Sequence, residues 1–193
     1  MAVGKQGLLQ AALCRFALDG YAGASLKDIA EEAGIKKPSI YAHFQGKDDL
    51  FLHVLEHCVI KVKRKIRRFY LHQLDEPLSQ RLKGLLSFLQ DSYHQDRDTQ
   101  FLLRTFYFPP QELYAEVLSR GNPFLDGMEQ MLTLELGREI QNRGSSLIEP
   151  AHAATAYMTL ADGVLLDMLY EIPERSRRRL ELSWPVYWKG IQR

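Results

Sequence analysis

A short stretch of the chain concentrates side chains that could bind a polyanion. Between residues 36 and 47, lysines alternate with hydroxyl groups, an aromatic ring and a histidine, around the apolar positions Ile40 and Phe44. If these apolar side chains turn inward, the polar ones face outward: Lys36, Lys37, Ser39, Tyr41 and His43. Such a face suits phosphate oxygens and the edges of DNA bases. A solvated helical corner without a ligand is the alternative interpretation.

Two short helices must hold this face. Ser25 can cap the first amides of one helix, and Asp28, three residues later, completes an acidic variant of the capping box. Gly34 permits the turn into the second helix. Pro38 is tolerated there because the first turn of a helix needs no N–H from it. The pattern of residues 25–47 therefore predicts a helix-turn-helix.

The rest of the chain has helical periodicity and no convincing strand pattern. Proline and glycine gather between the apolar-periodic stretches, which indicates helix boundaries. We predict an all-α fold of about nine helices, the first over residues 5–18 and ending at Gly20. The second begins at Ser25, the third near Lys37, and the others span 47–71, 78–94, 99–107, 111–120, 123–143, 150–171 and 174–192.

Composition fits a globular protein rather than a membrane or disordered one. The 193 residues are 46% hydrophobic and 25% charged, and no uncharged apolar run reaches the length of about 18 residues that a membrane span needs. Arg15 and Asp19 also interrupt the N-terminal apolar pattern too soon for a signal peptide. We expect a cytoplasmic protein. Residues 1–72 carry 12 basic and 7 acidic residues, so the N-terminal part is the basic one.

From Leu8 to Leu55 the chain resembles the DNA-binding region of the TetR family. The matching positions are Ala11, Phe16, Gly20-Tyr21, Ser25-Leu26, Ile29-Ala30, Ala33-Gly34-Ile35, Ile40-Tyr41, His43-Phe44, Lys47 and Leu50. The Tyr-x-His-Phe element followed by Lys47 is the most specific of them. The resemblance implies a helix-turn-helix DNA-binding domain over residues 1–46 and a larger helical domain for effector binding and dimerisation over 47–193.

The resemblance also implies roles for individual residues. Ser25 and Lys27 approach a phosphate at the start of a helix, where backbone amides attract anions. Lys37, Ser39 and Tyr41 lie in or beside the major groove, flanked by Lys36 and Pro38. His43 and Lys47 hold the flanking backbone. Two departures affect these contacts, because Pro38 stands where the family often has glycine and Gly46 replaces a frequent serine or threonine.

The last two predicted helices carry the dimer prediction. Small residues mix with large apolar ones at several faces of residues 151–169, which permits close helix approach. Core packing within one chain explains this pattern equally well. The resemblance favours a dimer of the four-helix type, and we expect its interface to include Ala154, Ala161, Leu165, Leu180, Trp184 and Trp188.

A ligand pocket is predicted from aromatic and methionine residues. The segment 101–110 joins four aromatic rings to one cation, and methionines suit an adaptable apolar cavity. The candidate lining residues are Phe88, Tyr93, Phe101, Arg104, Tyr107, Phe108, Met128, Met131, Tyr157 and Met158. The implied ligand is a small apolar or aromatic molecule, although ordinary core packing would use the same residue types.

Three further patterns offer weaker functional interpretations. The run 61–68 holds six basic residues in eight, either an anion-binding patch or a solvated face that could pair with acidic residues of the C-terminal half. His53 and His57 lie one helical turn apart but lack a convincing third metal ligand. Cys14 and Cys58 fit reduced core thiols better than a disulfide. No catalytic motif appears, so we expect neither an enzyme nor a cofactor or metal.

These observations favour a homodimeric DNA-binding transcriptional regulator. We expect a repressor that binds a palindromic operator and is released by a small effector. One alternative is a regulator without a ligand, whose C-terminal domain only dimerises or meets a protein partner. The other is a helical binding protein or enzyme with no DNA role.

Overall fold

The structure, a computed structural model, describes residues 4–142 and 148–192, and no strand occurs among them. Its α-helices are α1 (Lys5–Gly23), α2 (Leu26–Glu32), α3 (Lys47–His72), α4 (Leu78–Gln95), α5 (Arg97–Tyr107), α6 (Tyr114–Asn142), α7 (Pro150–Leu169) and α8 (Pro173–Ile191). The described chain also has 3₁₀ helices at Lys37–Ala42 and Gln111–Leu113. The predicted all-α fold is confirmed.

The contacts divide the chain into two compact units. One contains Met1–Lys63 and His94–Gly121, and the other contains Arg64–Tyr93 and Asn122–Arg193. This division follows packing within the chain, so it does not test the predicted domains 1–46 and 47–193. We call the first the N-terminal unit and the second the C-terminal unit.

Aromatic rings form the centre of the N-terminal unit. Phe51 on α3 meets Phe16 of α1 edge to face, with ring centroids 5.0 Å apart, and Phe101 of α5 at 5.3 Å. Leu8, Ile29 and several other apolar side chains are fully buried around them. Burying one such side chain stabilises a fold by about 1.5–3 kcal/mol, so α1, α2 and the start of α3 form one rigid support.

The C-terminal unit is built on leucines, aromatic rings and a few buried polar groups. Tyr157 of α7 is fully buried, and its hydroxyl donates to the Leu82 carbonyl at 2.8 Å. Asp167 is also buried and is held by guanidinium groups of Arg175 and Arg179 at 2.7 and 3.0 Å. Because Asp167 lies near the end of α7 and both arginines lie on α8, these ion pairs fix the hairpin of the last two helices.

Two helix boundaries differ from the predictions. α6 continues through Gly121 and Pro123, where separate helices over 111–120 and 123–143 were expected. A proline removes one backbone hydrogen bond, and the remaining bonds and packing of a 29-residue helix hold it together. The predicted end at residue 143 lies outside the described residues. α1 leaves helical geometry at Gly20 as predicted, with φ 69° and ψ 178°, but resumes for a short turn to Gly23.

Candidate nucleic-acid interface

The turn between α2 and the 3₁₀ helix Lys37–Ala42 follows from local backbone chemistry. Gly34 has φ +66°, a left-handed conformation that favours glycine, and the Ile35 amide donates to the Ala30 carbonyl at 2.9 Å. Ile40 is fully buried beneath the second helix. This anchoring side chain fixes which face of the short helix points outward.

The outward face carries the residues that the sequence predicted for DNA contact. Tyr41 has 54% of its surface exposed. Its neighbours on this face are exposed as well: Lys36, Lys37, Pro38, Ser39 and His43. The helix is 3₁₀ rather than α, and Pro38 lies in its first turn. Short connecting helices often adopt this tighter winding, and a proline is tolerated in the first turn of a helix.

The start of α2 has the predicted cap. Ser25 Oγ accepts a hydrogen bond from the Asp28 amide at 3.2 Å and donates to the Asp28 carboxylate at 2.7 Å. Lys27 is exposed, with its ammonium 3.8 Å from Glu31. An exposed pair of this kind contributes little stability, so Lys27 is free to exchange Glu31 for a phosphate.

Lys47, at the start of α3, is held by the end of α1. Its ammonium lies 4.4 Å from the ring centroid of Tyr21 and 3.5 Å from the Ala22 carbonyl oxygen. The Tyr21 hydroxyl donates to Asp48 at 2.5 Å. Partial burial, followed by the Asp48 carboxylate that accepts this hydrogen bond, raises the pKa of Tyr21 above its ordinary range. The hydroxyl therefore remains a proton donor at neutral pH.

Other contacts support the interface from behind. Asp49 accepts a hydrogen bond from the Gln45 amide at 2.8 Å, which satisfies a donor before α3. The ring of Phe44 packs against His53 at 5.1 Å, and the Lys5 ammonium lies 5.2 Å from the Phe44 ring centroid. Packing contacts and hydrogen bonds thus fix the backbone that carries the exposed residues.

Comparison with known proteins identifies the family of the N-terminal region. Residues 8–54 match the family model described as "Bacterial regulatory proteins, tetR family". The HTH-type transcriptional activator FasR of Mycolicibacterium smegmatis is 27% identical over 133 residues, which cover 68% of this chain and 60% of FasR. Residues 8–54 form a TetR-family DNA-binding region. The first curated relative is thus matched over less than two thirds of its length.

Two further comparisons extend beyond the DNA-binding region. The negative transcriptional regulator IcaR of Staphylococcus epidermidis is 25% identical over 157 residues, which cover 78% of this chain and 72% of IcaR. The Bacillus subtilis regulator FadR, solved in complex with stearoyl-CoA, has the same fold with a TM-score of 0.67. It is 21% identical, and the match covers 93% of this chain and 97% of FadR. The fold that this chain shares with FadR is helical along its described residues.

The predicted ligand residues are divided between the two units. Phe101, Arg104, Tyr107 and Phe108 belong to the N-terminal unit, where Phe101 packs in the aromatic core and Phe108 is exposed. The others belong to the C-terminal unit: Phe88, Tyr93, Met128, Met131, Tyr157 and Met158. In that unit Met131 and Met158 pack against the buried cluster that contains Tyr157. Their role in ligand binding stays a prediction.

The predicted dimer residues are largely covered within a single chain. Five of them are buried, namely Ala154, Ala161, Leu165, Leu180 and Trp184. Trp188 packs against the buried cluster to which all of these except Leu165 belong. The large apolar side chains that α8 exposes are Leu182, at 63%, and Val186, at 75%. These two lie one helical turn apart and therefore share a face. Periodicity could not separate the two apolar faces of α8.

The basic run and the histidines have partial explanations. The Lys61 ammonium lies 3.4 Å from the carboxylate of the mostly buried Asp98. One lysine of the basic run is therefore paired with an acidic residue from the second half of the sequence. Lys63, Arg64, Arg67 and Arg68 are exposed. His53 contacts Asp49, and within residues 4–142 and 148–192 no three potential ligands form a metal site. No described helix is both long and apolar enough to cross a membrane.

The cysteines are both free thiols. Cys14 is partly buried, and Cys58 is fully buried with its sulfur 3.7 Å from Asp98. Burial, reinforced by the nearby Asp98 carboxylate, raises the pKa of Cys58 above its ordinary range. The thiol therefore stays protonated and unreactive at neutral pH, as a core thiol should.

Sequence reasoning missed Tyr21 and Asp48 as parts of this interface. Tyr21 appeared only as a position that matched the family, and no role in this interface was predicted for Asp48. Their contact joins the end of α1 to the start of α3 across 27 residues. One sequence signal could have indicated a role for Tyr21, namely its position directly after Gly20. A change of chain direction at this glycine places the following aromatic ring against the helices that come next.

Proposed function

We propose that this TetR-family regulator is a homodimeric repressor that binds a palindromic operator through residues 25–47. The observation that carries the proposal is the exposed face around buried Ile40, formed by lysines, hydroxyl groups and Tyr41. Lys37 would read a base edge in the major groove, and Ser25, Lys27 and Lys47 would bind phosphates. This division of roles makes some contacts specific for sequence and others indifferent to it.

The oligomeric part of the proposal concerns α7 and α8. In TetR-family proteins the last two helices of each subunit form a four-helix interface, and a two-fold dimer matches a palindromic site. Exposed Leu182 and Val186 support α8 as the contacting helix, because a second copy would remove both side chains from water. We therefore propose these two residues, rather than the buried predicted ones, as the centre of the dimer contact.

The regulatory part of the proposal is a small apolar or amphipathic effector. FadR of the same fold was solved with stearoyl-CoA, and this supports long-chain acyl thioesters as the first compounds to test. An effector acts only if its affinities for the DNA-competent and the released conformations differ. IcaR is a negative regulator and FasR an activator, so the relatives support regulation of either sign.

A ligand-independent regulator is the second candidate. The observation that favours it is the full burial of Tyr157, whose hydroxyl is bonded to Leu82 in the C-terminal core. Ligand entry there would have to displace packed side chains. Release of operator DNA by an acyl-CoA, with no release by free coenzyme A, would favour the effector-responsive regulator, and unchanged binding across a panel of apolar ligands would favour this second candidate.

Selection of bound duplexes from random DNA tests the DNA-binding proposal. We expect the wild-type chain to enrich an inverted repeat and Tyr41→Ala to weaken the enrichment. Tyr114→Ala is a matched control, because Tyr114 is 55% exposed, almost as much as Tyr41, and lies outside residues 25–47. Failure of the wild-type chain to enrich any sequence, even at low salt, would overturn the proposal.

A further inference from the structure

Lys47 does not extend freely into solvent. Its ammonium lies over the face of the Tyr21 ring and near the Ala22 carbonyl, as described above. A free lysine side chain carries about 2 kcal/mol of rotamer entropy, which binding a phosphate would have to overcome. Contacts that restrict the side chain before DNA arrives reduce that cost.

The ring that restricts Lys47 is itself restricted. The Tyr21 hydroxyl donates to Asp48 at 2.5 Å, and the ring packs edge to face on Phe51 at 5.2 Å. Gly20 at φ +69° turns the chain at the position just before this ring. Tyr21 is thus fixed on three sides, and its ring face is a defined platform for a cation.

The ammonium keeps capacity for another partner. Lysine has three N–H donors, of which the Ala22 carbonyl can accept one, at the long distance of 3.5 Å. A ring face attracts the charge without using a directional lone pair. A phosphate oxygen can therefore bind this ammonium without first displacing a strong salt bridge.

We propose that Tyr21 and Asp48 are positioning residues for Lys47, which they hold in the orientation that contacts the operator phosphate. This inference rests on the proposed DNA-binding function. Tyr21 touches no DNA and acts through Lys47 alone. Asp48 acts one step further back, because its carboxylate fixes the Tyr21 ring.

A double-mutant cycle separates positioning from simple packing. The dissociation constant of the selected operator is measured for wild type, Tyr21→Leu, Lys47→Ala and the double variant. We expect Tyr21→Leu to weaken wild-type binding about two- to fivefold, the low end of the entropic cost of ordering one flexible side chain on binding. The same substitution should change binding less than about 1.5-fold once Lys47 is alanine, because no ammonium remains to be positioned.

Tyr21→Phe tests the role of Asp48 with little risk to folding. It keeps the ring and removes the hydroxyl that reaches Asp48, so its loss of affinity should be smaller than that of Tyr21→Leu and should also vanish in the Lys47→Ala background. Tyr114→Leu, an exposed tyrosine elsewhere, is the control and should bind as wild type does. Equal losses from the Tyr21 variants in both Lys47 backgrounds would overturn the inference while leaving DNA binding itself intact. Absence of operator binding by wild type would overturn both.

Discussion

The guanidinium of Arg104 donates a hydrogen bond to the backbone carbonyl of Ala17, with 2.9 Å between nitrogen and oxygen. Ala17 lies three residues before Gly20, where α1 leaves helical geometry. Carbonyls at such a break lose helical partners, and a cation there also meets the negative end of the helix dipole. Arg104 therefore ties α5 to the helix that supports the DNA-binding face.

Arg104→Met should lower the free energy of unfolding by roughly 1.5 kcal/mol. This is the low end for a hydrogen bond from a charged donor, because the side chain is partly exposed. Urea unfolding measures the change. Arg97→Met, at an exposed position of the same helix, should cost less than about 0.5 kcal/mol. Equal losses for the two variants would contradict a specific role of the Ala17 contact.

Two glycines of α6 should respond to alanine in opposite directions. A Cβ on Gly121 would lie 2.7 Å from Cε1 of Phe106, whereas one on Gly127 would meet open space. We expect Gly127→Ala to raise the free energy of unfolding by about 0.5–1 kcal/mol, since alanine restricts the unfolded chain. Gly121→Ala should lower it by about 1–3 kcal/mol through overpacking. Stabilisation by both variants in urea unfolding would show that Phe106 yields readily.

Alkaline pH should destabilise the fold through buried tyrosines. Burial, with the Glu135 carboxylate 3.2 Å from the hydroxyl, raises the pKa of Tyr70 to about 12. An unfolded tyrosine ionises near pH 10, so the folded state holds this proton more tightly. The stability from Tyr70 is present below about pH 10 and is lost as the pH rises toward 12.

Tyr70→Phe tests this pH dependence. Urea unfolding between pH 9.5 and 11.5 should show a smaller loss of stability per pH unit in the variant than in wild type. The slope should not fall to zero, because burial also raises the pKa of Tyr157 and Tyr187. Identical slopes in the two proteins would mean that Tyr70 ionises alike in the folded and unfolded chains.

The proposed dimer contact predicts that Val186→Asp disrupts self-association. A charge placed at the centre of an apolar interface loses its water without gaining a partner. Sedimentation at micromolar concentration should give dimers for wild type and monomers for the variant. Leu18→Asp is the control, because Leu18 is 63% exposed on α1, far in sequence from α8. A Val186→Asp dimer as stable as wild type would require an interface elsewhere.

Local sequence signals predicted the DNA-binding elements well. Ser25 caps α2 because its hydroxyl accepts a hydrogen bond from the amide of Asp28, which is only three residues further along the chain. Gly34 forms the turn because glycine tolerates a positive φ. Ile40 was predicted as an anchor and is buried. The predicted break at Pro123 was wrong, because α6 continues through this residue. The low helix propensity of one proline is a local effect, and the packing of the whole helix outweighs it.

Features that depend on tertiary contacts could not be read from the sequence. The Tyr21–Asp48 hydrogen bond and the Lys47–Tyr21 contact join α1 to α3, and no residue spacing encodes that approach. α8 has apolar residues on more than one face, so the pattern could not show that Leu180 faces the core of its own chain while Val186 faces solvent.

The ratio of dissociation constants for the selected palindrome and a scrambled duplex is the most direct test of the central claim. At physiological salt we predict a preference of about a thousandfold or more for the palindrome by wild type. Lys37→Ala should reduce this ratio, whereas Lys47→Ala should weaken both duplexes about equally, because bases carry specificity and phosphates do not. Equal affinity of the wild-type chain for the two duplexes would contradict sequence recognition by residues 25–47.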